Sequence, residues 1–362
     1  MGTGRRGPTA CFSPQAVRRS LGWRGPACWL AAVCLALSGC WTKSGPEVVV
    51  YTALDAEFSA PIFGDFEAAT GVDVREKFDT EATKTVGLAQ AIIEEAARPR
   101  CDLFWNNEIL NTLRLEEQGL LDAYHPAIAE SYPAMYRSPE GLWHGFAGRA
   151  RVLIVNTELV PEADRPGSIH DLGDQKWRGK AGIAKPLFGT TATHAACLFA
   201  DWGEQEAKAY FRKLKANDVQ ILSGNKQVAL SVAAGRLAFG MTDTDDAIIE
   251  LEKGMPVAIV YPDQGEDGLG TLFIPNTLAI IRGGPNPEAA RQLVDYLLSP
   301  AVEAKLAAGP SAQIPLNPDV TAKVRVETPH TVKPMPVDFE AAAASWETAR
   351  RFIRDEFATG EE

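Results

Sequence analysis

Residues 46–78 read PEVVVYTALDAEFSAPIFGDFEAATGVDVREKF, and this stretch decides the fold class. Its valine run at 48–50 is continuous and β-branched, which is typical of a strand buried on both faces. The segment FSAPIFGDFEAATG predicts a helix that ends at Gly71, and VDVREKF predicts a second strand. A strand, a helix and another strand in this order favour a parallel sheet with helices packed on its faces.

The alternation continues along the chain. EATKTVGLAQAIIEEAARPR predicts a helix that stops at Pro99, CDLFWNN a strand, and EILNTLRLEEQG a helix closed by Gly119. Further strands are predicted in ARVLIVN, AGIAKP, VQILSG, RLAFGMT and TLFIPNTLAIIRG. One long helix is predicted over 191–217, and a C-terminal helix is predicted in DFEAAAASWETARRFIRDEF. The order predicts an α/β fold of two lobes, each a mixed, mostly parallel sheet flanked by helices.

The first 40 residues have the composition of an export signal. They contain five arginines and no acidic residue, and a short apolar run at 27–37 follows the basic part. This run is shorter than the roughly 20 apolar residues that a membrane-spanning helix needs. The ending LSGC resembles a bacterial lipobox, which predicts lipidation of Cys40 and a lipid-anchored protein of the periplasm or cell envelope. The alternative is a plain signal peptide with an incidental cysteine.

The charge and cysteine content of the mature chain exclude several classes of protein. Removing the five leader arginines from the 36 basic residues leaves 31 against 47 acidic ones, a net charge of −16. This balance disfavours nucleic acid and anionic membrane surfaces as partners. Four of the six cysteines lie in the leader, so Cys101 and Cys197 alone give no disulfide framework. The zinc-binding patterns CxxC and HExxH do not occur in the sequence.

The stretch FGMTDTDDA at 239–247 places three carboxylates within four residues, directly after a predicted strand. Ligands in open parallel sheets bind at the carboxyl ends of strands, and crowded like charges are unfavourable unless a cation lies between them. The alternative is a solvated turn at a helix start, where acidic residues are favourable. We interpret Asp243 as such a turn residue, whereas for Asp245 and Asp246 the residues alone leave both interpretations open.

A family resemblance covers nearly the whole mature chain. It rests on VVVYTALDAEF, CDLFWNNEILNTLRLEEQGLLDAY, GFAGRARVLIVNTELV, DLGDQKWRGKAGIAKPLFGTT, GNKQVALSVAAGRLAFGMTDTDDA, IPNTLAIIRGGPNPEAARQLVDYLLSP and AQIPLNP. In these motifs the sequence resembles the iron(III)-type periplasmic substrate-binding proteins of ABC transporters, which close two lobes around a ligand. The resemblance implies a monomeric, non-enzymatic protein without a cofactor that delivers a small ligand to an ABC permease and its ATPase.

The resemblance also implies a set of site residues. The family's ligand tyrosine pair falls on Asp245 and Asp246, and its first-lobe histidine or tyrosine falls on Asp55. A family glutamate falls on Asn107 or its neighbour Glu108. The family's anion-holding arginine and turn fall on Arg149, Gly189, Thr190 and Thr191. All nine are expected to bind the ligand, with Asp55, Glu108, Asp245 and Asp246 as metal ligands, whereas Arg151 alternates to the other face and is expected to be structural.

The sequence predicts domain boundaries around this site. Lobe 1 is expected over 46–149 and 276–325, and lobe 2 over 150–275 with the C-terminal helix of 326–362, after the leader of 1–40. ARVLIV and TLFIPNTL are expected to join the lobes and act as the hinge.

The candidate residues fit two kinds of ligand. Carboxylates suit a hard cation, ferric iron or another one, and Arg149 with a helix N-terminus suits a bound anion. A zwitterion such as an aminophosphonate would use the same two sides. An enzyme of the metal-dependent hydrolase class would need a nucleophile or base beside its metal, and no such motif is visible. A sensory ligand-binding subunit is a further alternative class.

Overall fold

A computed structural model describes residues 45–79 and 86–357. The leader, Cys40 and the first residues of the helix predicted from residue 81 lie outside the described residues. The strands are β1 (Glu47–Thr52), β2 (Asp73–Phe78), β3 (Leu103–Asn106), β4 (Leu121–Asp122), β5 (His144–Asn156), β6 (Ala181–Ala184), β7 (Gln220–Leu222), β8 (Phe239–Asp243), β9 (Val257–Val260) and β10 (Phe273–Ile281).

Helices alternate with these strands. They are α1 (Ala56–Thr70), α2 (Val86–Glu94), α3 (Leu110–Glu117), α4 (Gly189–Trp202), α5 (Glu204–Ala216), α6 (Asn225–Ala233), α7 (Thr244–Glu252), α8 (Pro287–Leu297), α9 (Pro300–Ala308) and α10 (Phe339–Phe357). Single turns of 3₁₀ helix lie at Ala127–Ser131, Ala134–Tyr136, Glu162–Asp164, Ile169–Gly173 and Gln175–Trp177.

The strands form one mixed sheet with the order β2-β1-β3-β10-β5-β8-β6-β7, and β4 and β9 pair with β10 and β5. β1 is parallel to β2 and β3, and β6 is parallel to β7 and β8. Between these two parallel groups lie β10 and β5, which run antiparallel to their neighbours. We call the part of the fold around β1, β2 and β3 the lobe 1 side, and the part around β6, β7 and β8 the lobe 2 side.

The long strand β5 passes from one lobe to the other. Its residues 144–150 pair with β10, whereas its residues 151–155 pair with β8. The register with β10 shifts between Pro275 and Asn276, which is an irregularity of the kind that bends a strand. Nearby Ala147 has a φ of 40°, a left-handed conformation that is uncommon for alanine.

The core follows from the valine-rich strands. Val48 and Val50 have no exposed surface and pack in a cluster with Phe66, Trp105 and residues of α8 and α9. Val49, between them, packs against a second cluster on the opposite face of the sheet. Both faces of β1 are therefore covered, as its β-branched run predicts.

The structure differs from the sequence-based prediction at several element boundaries. The single helix predicted over 191–217 is two helices, because Gly203 adopts a φ of 79° between α4 and α5. β5 begins at His144, before the predicted strand, and β9 was not predicted. Within the described part of the helix predicted from 81, helical structure covers Val86–Glu94 only.

The C-terminal helix α10 contacts elements of both lobes. It packs against α4 and α5 and also against α3. Arg114 of α3 lies 3.4 Å from the Glu347 carboxylate and over the Trp346 ring, so α10 is tied to α3 by charge and by stacking. The predicted domain boundaries, which place this helix in lobe 2, stay a prediction.

Two further observations concern the cysteines and the helices among the described residues. Cys101 and Cys197 are free and buried. Among the described helices, none has the length and apolar content required to cross a membrane.

Candidate ligand-binding cleft

A cleft lies where the two parallel groups of strands end. The cleft is open to solvent, and the empty space between its walls and at its mouth is ≈ 410 Å³. Its lining residues are Leu54, Asp55, Phe58, Asn107, Arg149, Gly189, Thr190, Asn225, Lys226, Asp243, Asp245 and Asp246. Seven of the nine predicted site residues are in this set, and Glu108 and Thr191 are not.

The strand ends explain why these residues meet. Asp55 follows β1 and Asn107 follows β3, on the lobe 1 side. Gly189 begins the helix after β6, Asn225 begins the helix after β7, and Asp243 ends β8 on the lobe 2 side. Because the carboxyl ends of parallel strands share one edge of a sheet, the fold brings these separate segments to one crevice.

The acidic cluster is Asp243, Asp245 and Asp246. One carboxylate oxygen of each lies within 4.8 Å of the others. Asp243 and Asp245 are buried, with 3% and 7% exposure, so the stretch is not a solvated turn. Asp245 and Asp246 belong to the first turn of α7, whose N-terminal partial positive charge favours carboxylates.

Asp243 is held by a buried ion pair, and its interpretation as a solvated turn residue is wrong. Arg151 Nη1 donates to Asp243 Oδ1 at 2.6 Å, and neither side chain is more than 4% exposed. The other carboxylate oxygen accepts from Thr190 Oγ1 at 2.6 Å and from Asn225 Nδ2 at 2.9 Å. Arg151 is thus a structural residue, and Asp243 is neutralised from behind the cleft wall.

Arg149 lies on β5 at the point where the strand changes lobes. Its side chain is 2% exposed, and its Nε is 3.5 Å from Asp245 Oδ2. Its Nη2 donates to Asn276 Oδ1 at 2.9 Å. Nε itself has no hydrogen-bond partner within the described residues. The cleft therefore contains a buried guanidinium with one unsatisfied donor.

Asn107 offers the complementary group. The residue is 4% exposed, lines the cleft, and its Oδ1 has no hydrogen-bond partner in the described part of the chain. Buried polar atoms are normally paired, because leaving one unpaired costs about 1–3 kcal/mol. One unsatisfied donor and one unsatisfied acceptor in the same cleft are available to a ligand.

Glu108 does not reach the cleft, so its assignment as a metal ligand is wrong in this structure. Its carboxylate accepts from the backbone N–H groups of Leu110 at 2.6 Å and Asn111 at 3.0 Å, which caps α3. It also accepts from Asn106 Nδ2 at 2.9 Å and from Thr193 Oγ1 at 2.9 Å. Glu108 is fully buried and its hydrogen-bonding capacity is used within the fold.

Thr191 is likewise turned away from the cleft. Its Oγ1 accepts from Arg151 Nη2 at 3.1 Å and contacts Asn225 Oδ1 at 3.2 Å. The remaining members of the predicted turn, Gly189 and Thr190, do line the cleft at the start of α4. No side chain caps this helix start, so its first N–H groups are suited to an anion.

Sequence reasoning missed Lys226. Its Nζ lies 3.0 Å from Glu57 Oε1, which joins α6 of lobe 2 to α1 of lobe 1 at the cleft. The hydrogen bond to Glu57 raises the pKa of Lys226. Lys226 and its neighbour Asn225 directly follow the strand predicted from VQILSG, so the strand-end rule that selected Asp245 also applies to them.

His194 is one turn into α4 and lies away from the cleft. It lines an apolar cavity with Leu198, Tyr210 and Met241. Burial lowers the pKa of His194 to about 3. The side chain is therefore a neutral core residue and not part of the site.

The fold and the cleft define a class of protein: a two-lobed binding protein that holds a small charged ligand between its lobes. Comparison with known families supports this class and narrows it. Residues 103–343 match the family model of the bacterial extracellular solute-binding proteins, and the chain belongs to this family. The resemblance derived from the sequence motifs is confirmed.

Individual relatives carry two kinds of name. "Iron uptake protein A1" of Synechocystis sp. is 25% identical over 291 residues, 76% of this chain and 79% of the relative. "Putative 2-aminoethylphosphonate-binding periplasmic protein" of Salmonella typhi is 24% identical over 299 residues, 81% of this chain and 85% of the relative. Both kinds match along most of the chain.

Solved structures confirm the two-lobed α/β fold. The iron-bound HitA of Pseudomonas aeruginosa superposes with a TM-score of 0.78 at 24% identity, covering 86% of this chain and 100% of that one. The apo ferric ion-binding protein A of Pasteurella haemolytica gives a TM-score of 0.76 at 21% identity, with coverages of 86% and 98%. At these identities the likeness establishes the fold and not the ligand.

Proposed function

We propose that this protein is the solute-binding component of an ABC importer and that it captures a hard metal cation together with an anion between its lobes. Ferric iron is the first candidate cation. The protein would act at the cell envelope, lipid-anchored through Cys40, and would deliver its ligand to a permease and an ATPase. No catalytic role is proposed.

The observation that carries the metal proposal is the carboxylate cluster in a cleft that also holds an unsatisfied oxygen. Oxygens of Asp245 and Asp246 lie within 4.8 Å of each other and of Asp243, close enough to share one ion. Asp55 lines the lobe 1 side of the same cleft, and Asn107 Oδ1 is buried there without a partner among the described residues. Hard cations such as Ca²⁺, Mg²⁺ and Mn²⁺ take oxygen ligands from carboxylates and amide carbonyls.

A cation in this position would relieve an electrostatic cost. Closely spaced carboxylates disfavour each other's ionised form. Arg151 already compensates Asp243, and Arg149 lies 3.5 Å from Asp245. From their positions in the cleft lining we assign Asp55, Asp245 and Asp246 as metal ligands, with Asp243 as the residue behind them.

The anion would bind on the opposite side of the cleft. Arg149 Nε is an unsatisfied buried donor, and the uncapped start of α4 adds N–H groups at Gly189 and Thr190. A guanidinium fork suits carboxylate, carbonate or phosphonate oxygens. The names of the iron-uptake relatives agree with the cationic part of this proposal.

A zwitterion such as an aminophosphonate is the second candidate ligand. It is favoured by two observations: relatives named for 2-aminoethylphosphonate binding, and the absence of tyrosine from the cleft lining formed by the described residues. Its ammonium would contact the aspartates and its phosphonate would contact Arg149. The zwitterion would use Arg149 as the donor and the aspartates as the acceptors, as in the first proposal, but without a metal.

Native mass spectrometry with metal analysis, followed by calorimetric titration, separates the two candidates. The purified mature domain is titrated with ferric ion supplied as its citrate chelate, and separately with 2-aminoethylphosphonate. Stoichiometric iron binding that is lost in Asp55→Asn and in Asp246→Asn supports the metal proposal. Binding of the aminophosphonate with no iron or other metal bound would replace it with the zwitterion.

A further inference from the structure

Asn276 lies beside the cleft at the irregular part of β10. The residue has no exposed surface and sits where the register between β10 and β5 shifts. A buried amide at such a place has to satisfy its donor and acceptor groups inside the protein. The hydrogen bonds of the Asn276 side chain connect the cleft to β5, the strand that crosses between the lobes.

The two ends of the Asn276 amide face different parts of the molecule. Oδ1 accepts from Arg149 Nη2 at 2.9 Å. Nδ2 donates to the Ala147 carbonyl and, at 2.8 Å, to Gln313 Oε1. One side chain therefore holds the guanidinium of the cleft on one side and the backbone of β5 on the other.

The backbone to which Asn276 is anchored is unusual. Ala147 and Ala312 have φ values of 40° and 45°, in the left-handed region that alanine rarely adopts. Close to these two alanines in sequence, Gly148 and Ile314 form a pair of backbone hydrogen bonds of 2.6 and 2.8 Å. Glu303 holds the same part of β5 by accepting from the Ala147 N–H at 2.6 Å. Conformations of this kind persist only where the surroundings hold them.

Arg149 needs such an anchor, because its other contact in the cleft is loose. The 3.5 Å separation between its Nε and Asp245 Oδ2 is an ion pair without a hydrogen bond at Nε. A guanidinium recognises an oxyanion through the fixed directions of its N–H groups, and a group that is ordered before binding loses less entropy on binding. Asn276 supplies the directional contact that Asp245 does not.

We propose that Asn276 is the positioning residue of the cleft: it holds Arg149 in the orientation that binds the ligand's anion and anchors it to the backbone of β5 at Ala147. This inference rests on the proposed function in one respect, because it takes Arg149 to contact the ligand. Asn276 itself does not line the cleft, so it acts through Arg149.

A double-mutant cycle tests this action through Arg149. Affinity for ferric ion supplied as its citrate chelate is measured for the wild type, Asn276→Ala, Arg149→Met and the double variant. Loss of a hydrogen bond to a charged group predicts an affinity decrease of about tenfold or more for Asn276→Ala. In the Arg149→Met background the same change is expected to cost less than about threefold.

A matched control separates positioning from damage to the strand. Thr277 is the next residue of β10, equally buried, and its Oγ1 lies 2.7 Å from Thr112 Oγ1, away from Arg149. Thr277→Val is expected to keep wild-type affinity within about twofold. Equal losses from Asn276→Ala in both backgrounds, or an equal loss from Thr277→Val, would overturn the proposal.

A second readout needs no ligand. In the empty protein, the NMR signal of the Arg149 Nε–H group reports the order of this side chain. Asn276→Ala is expected to shift and broaden it, and Thr277→Val to leave it in place. An unchanged signal in Asn276→Ala overturns the inference. A wild type that binds no ferric ion overturns ferric iron as the proposed ligand, and the NMR comparison still decides the role of Asn276.

Discussion

Asp243→Asn is the substitution for which the structure gives the sharpest prediction. It removes one negative charge from the pair with Arg151, which is 2.6 Å long and has side-chain exposures of 0% and 4%. Aspartate and asparagine differ little in shape, so the substitution preserves the packing around position 243. The fold is expected to lose stability, whereas the sequence-based interpretation of Asp243 as a turn residue predicts almost no effect.

The hydrogen bonds around Asp243 show why an amide cannot replace the carboxylate. Oδ1 accepts from Arg151, and Oδ2 accepts from Thr190 and Asn225. In either orientation an asparagine NH₂ group faces a donor, so at least one acceptor position is lost. The buried Arg151 charge also loses its counter-ion, and breaking a buried pair in this way costs about 3–5 kcal/mol. With a denaturant dependence of about 3 kcal/mol per M, the urea midpoint falls by about 1–1.7 M.

Urea unfolding followed by circular dichroism measures this loss. The control is Asp218→Asn, which removes the carboxylate of a 2.7 Å pair with Arg178 whose two side chains are each 56% exposed. An exposed pair contributes about 0–1 kcal/mol, so this variant is expected to stay close to the wild type. Similar midpoints for both variants, or a loss below about 1 kcal/mol for Asp243→Asn, would refute the argument from burial.

Three further predictions concern the ligand, the pH dependence and the anchor. Asp245→Asn and Asp246→Asn are each expected to weaken ferric citrate binding by about 2–5 kcal/mol in calorimetric titrations, and wild-type affinity in both would return the stretch to a structural role. Because burial lowers the pKa of His194 from 6.5 to about 3, the unfolded state takes up a proton first as pH falls, so stability is lost below pH 6.5. His194 accounts for a loss of about 2 kcal/mol in the free energy of unfolding by pH 5. His194→Met should abolish this part of the loss when urea titrations at pH 7 and pH 5 are compared. Equal losses in the wild type and the variant would contradict the prediction. Cys40→Ala is expected to block processing and membrane fractionation, and a processed, membrane-bound variant would rule out the lipobox.

The fold could be predicted from local patterns, and most of the cleft followed from it. The valine run of β1 and the helix and strand after it gave the alternating order, because burial of apolar side chains imposes a period that is visible in a short window. The strand-end rule then pointed to Asp245, and the family resemblance to Asp55 and Asn107, and the structure brings all three together in one crevice. The same rule would have selected Lys226.

The roles of neighbouring residues within that cleft were decided by the tertiary structure. Asp243 and Asp245 are two positions apart, yet Asp243 is bound by Arg151, 92 residues away in sequence, whereas Asp245 lies 3.5 Å from Arg149. Glu108 is held away from the cleft by its cap on α3 and by Thr193, 85 positions away. A carboxylate's charge and hydrogen-bonding needs are visible in the sequence, but its partner is fixed only when distant strands and helices pack, because hydrogen bonds and ion pairs act over a few ångströms in space and not along the chain.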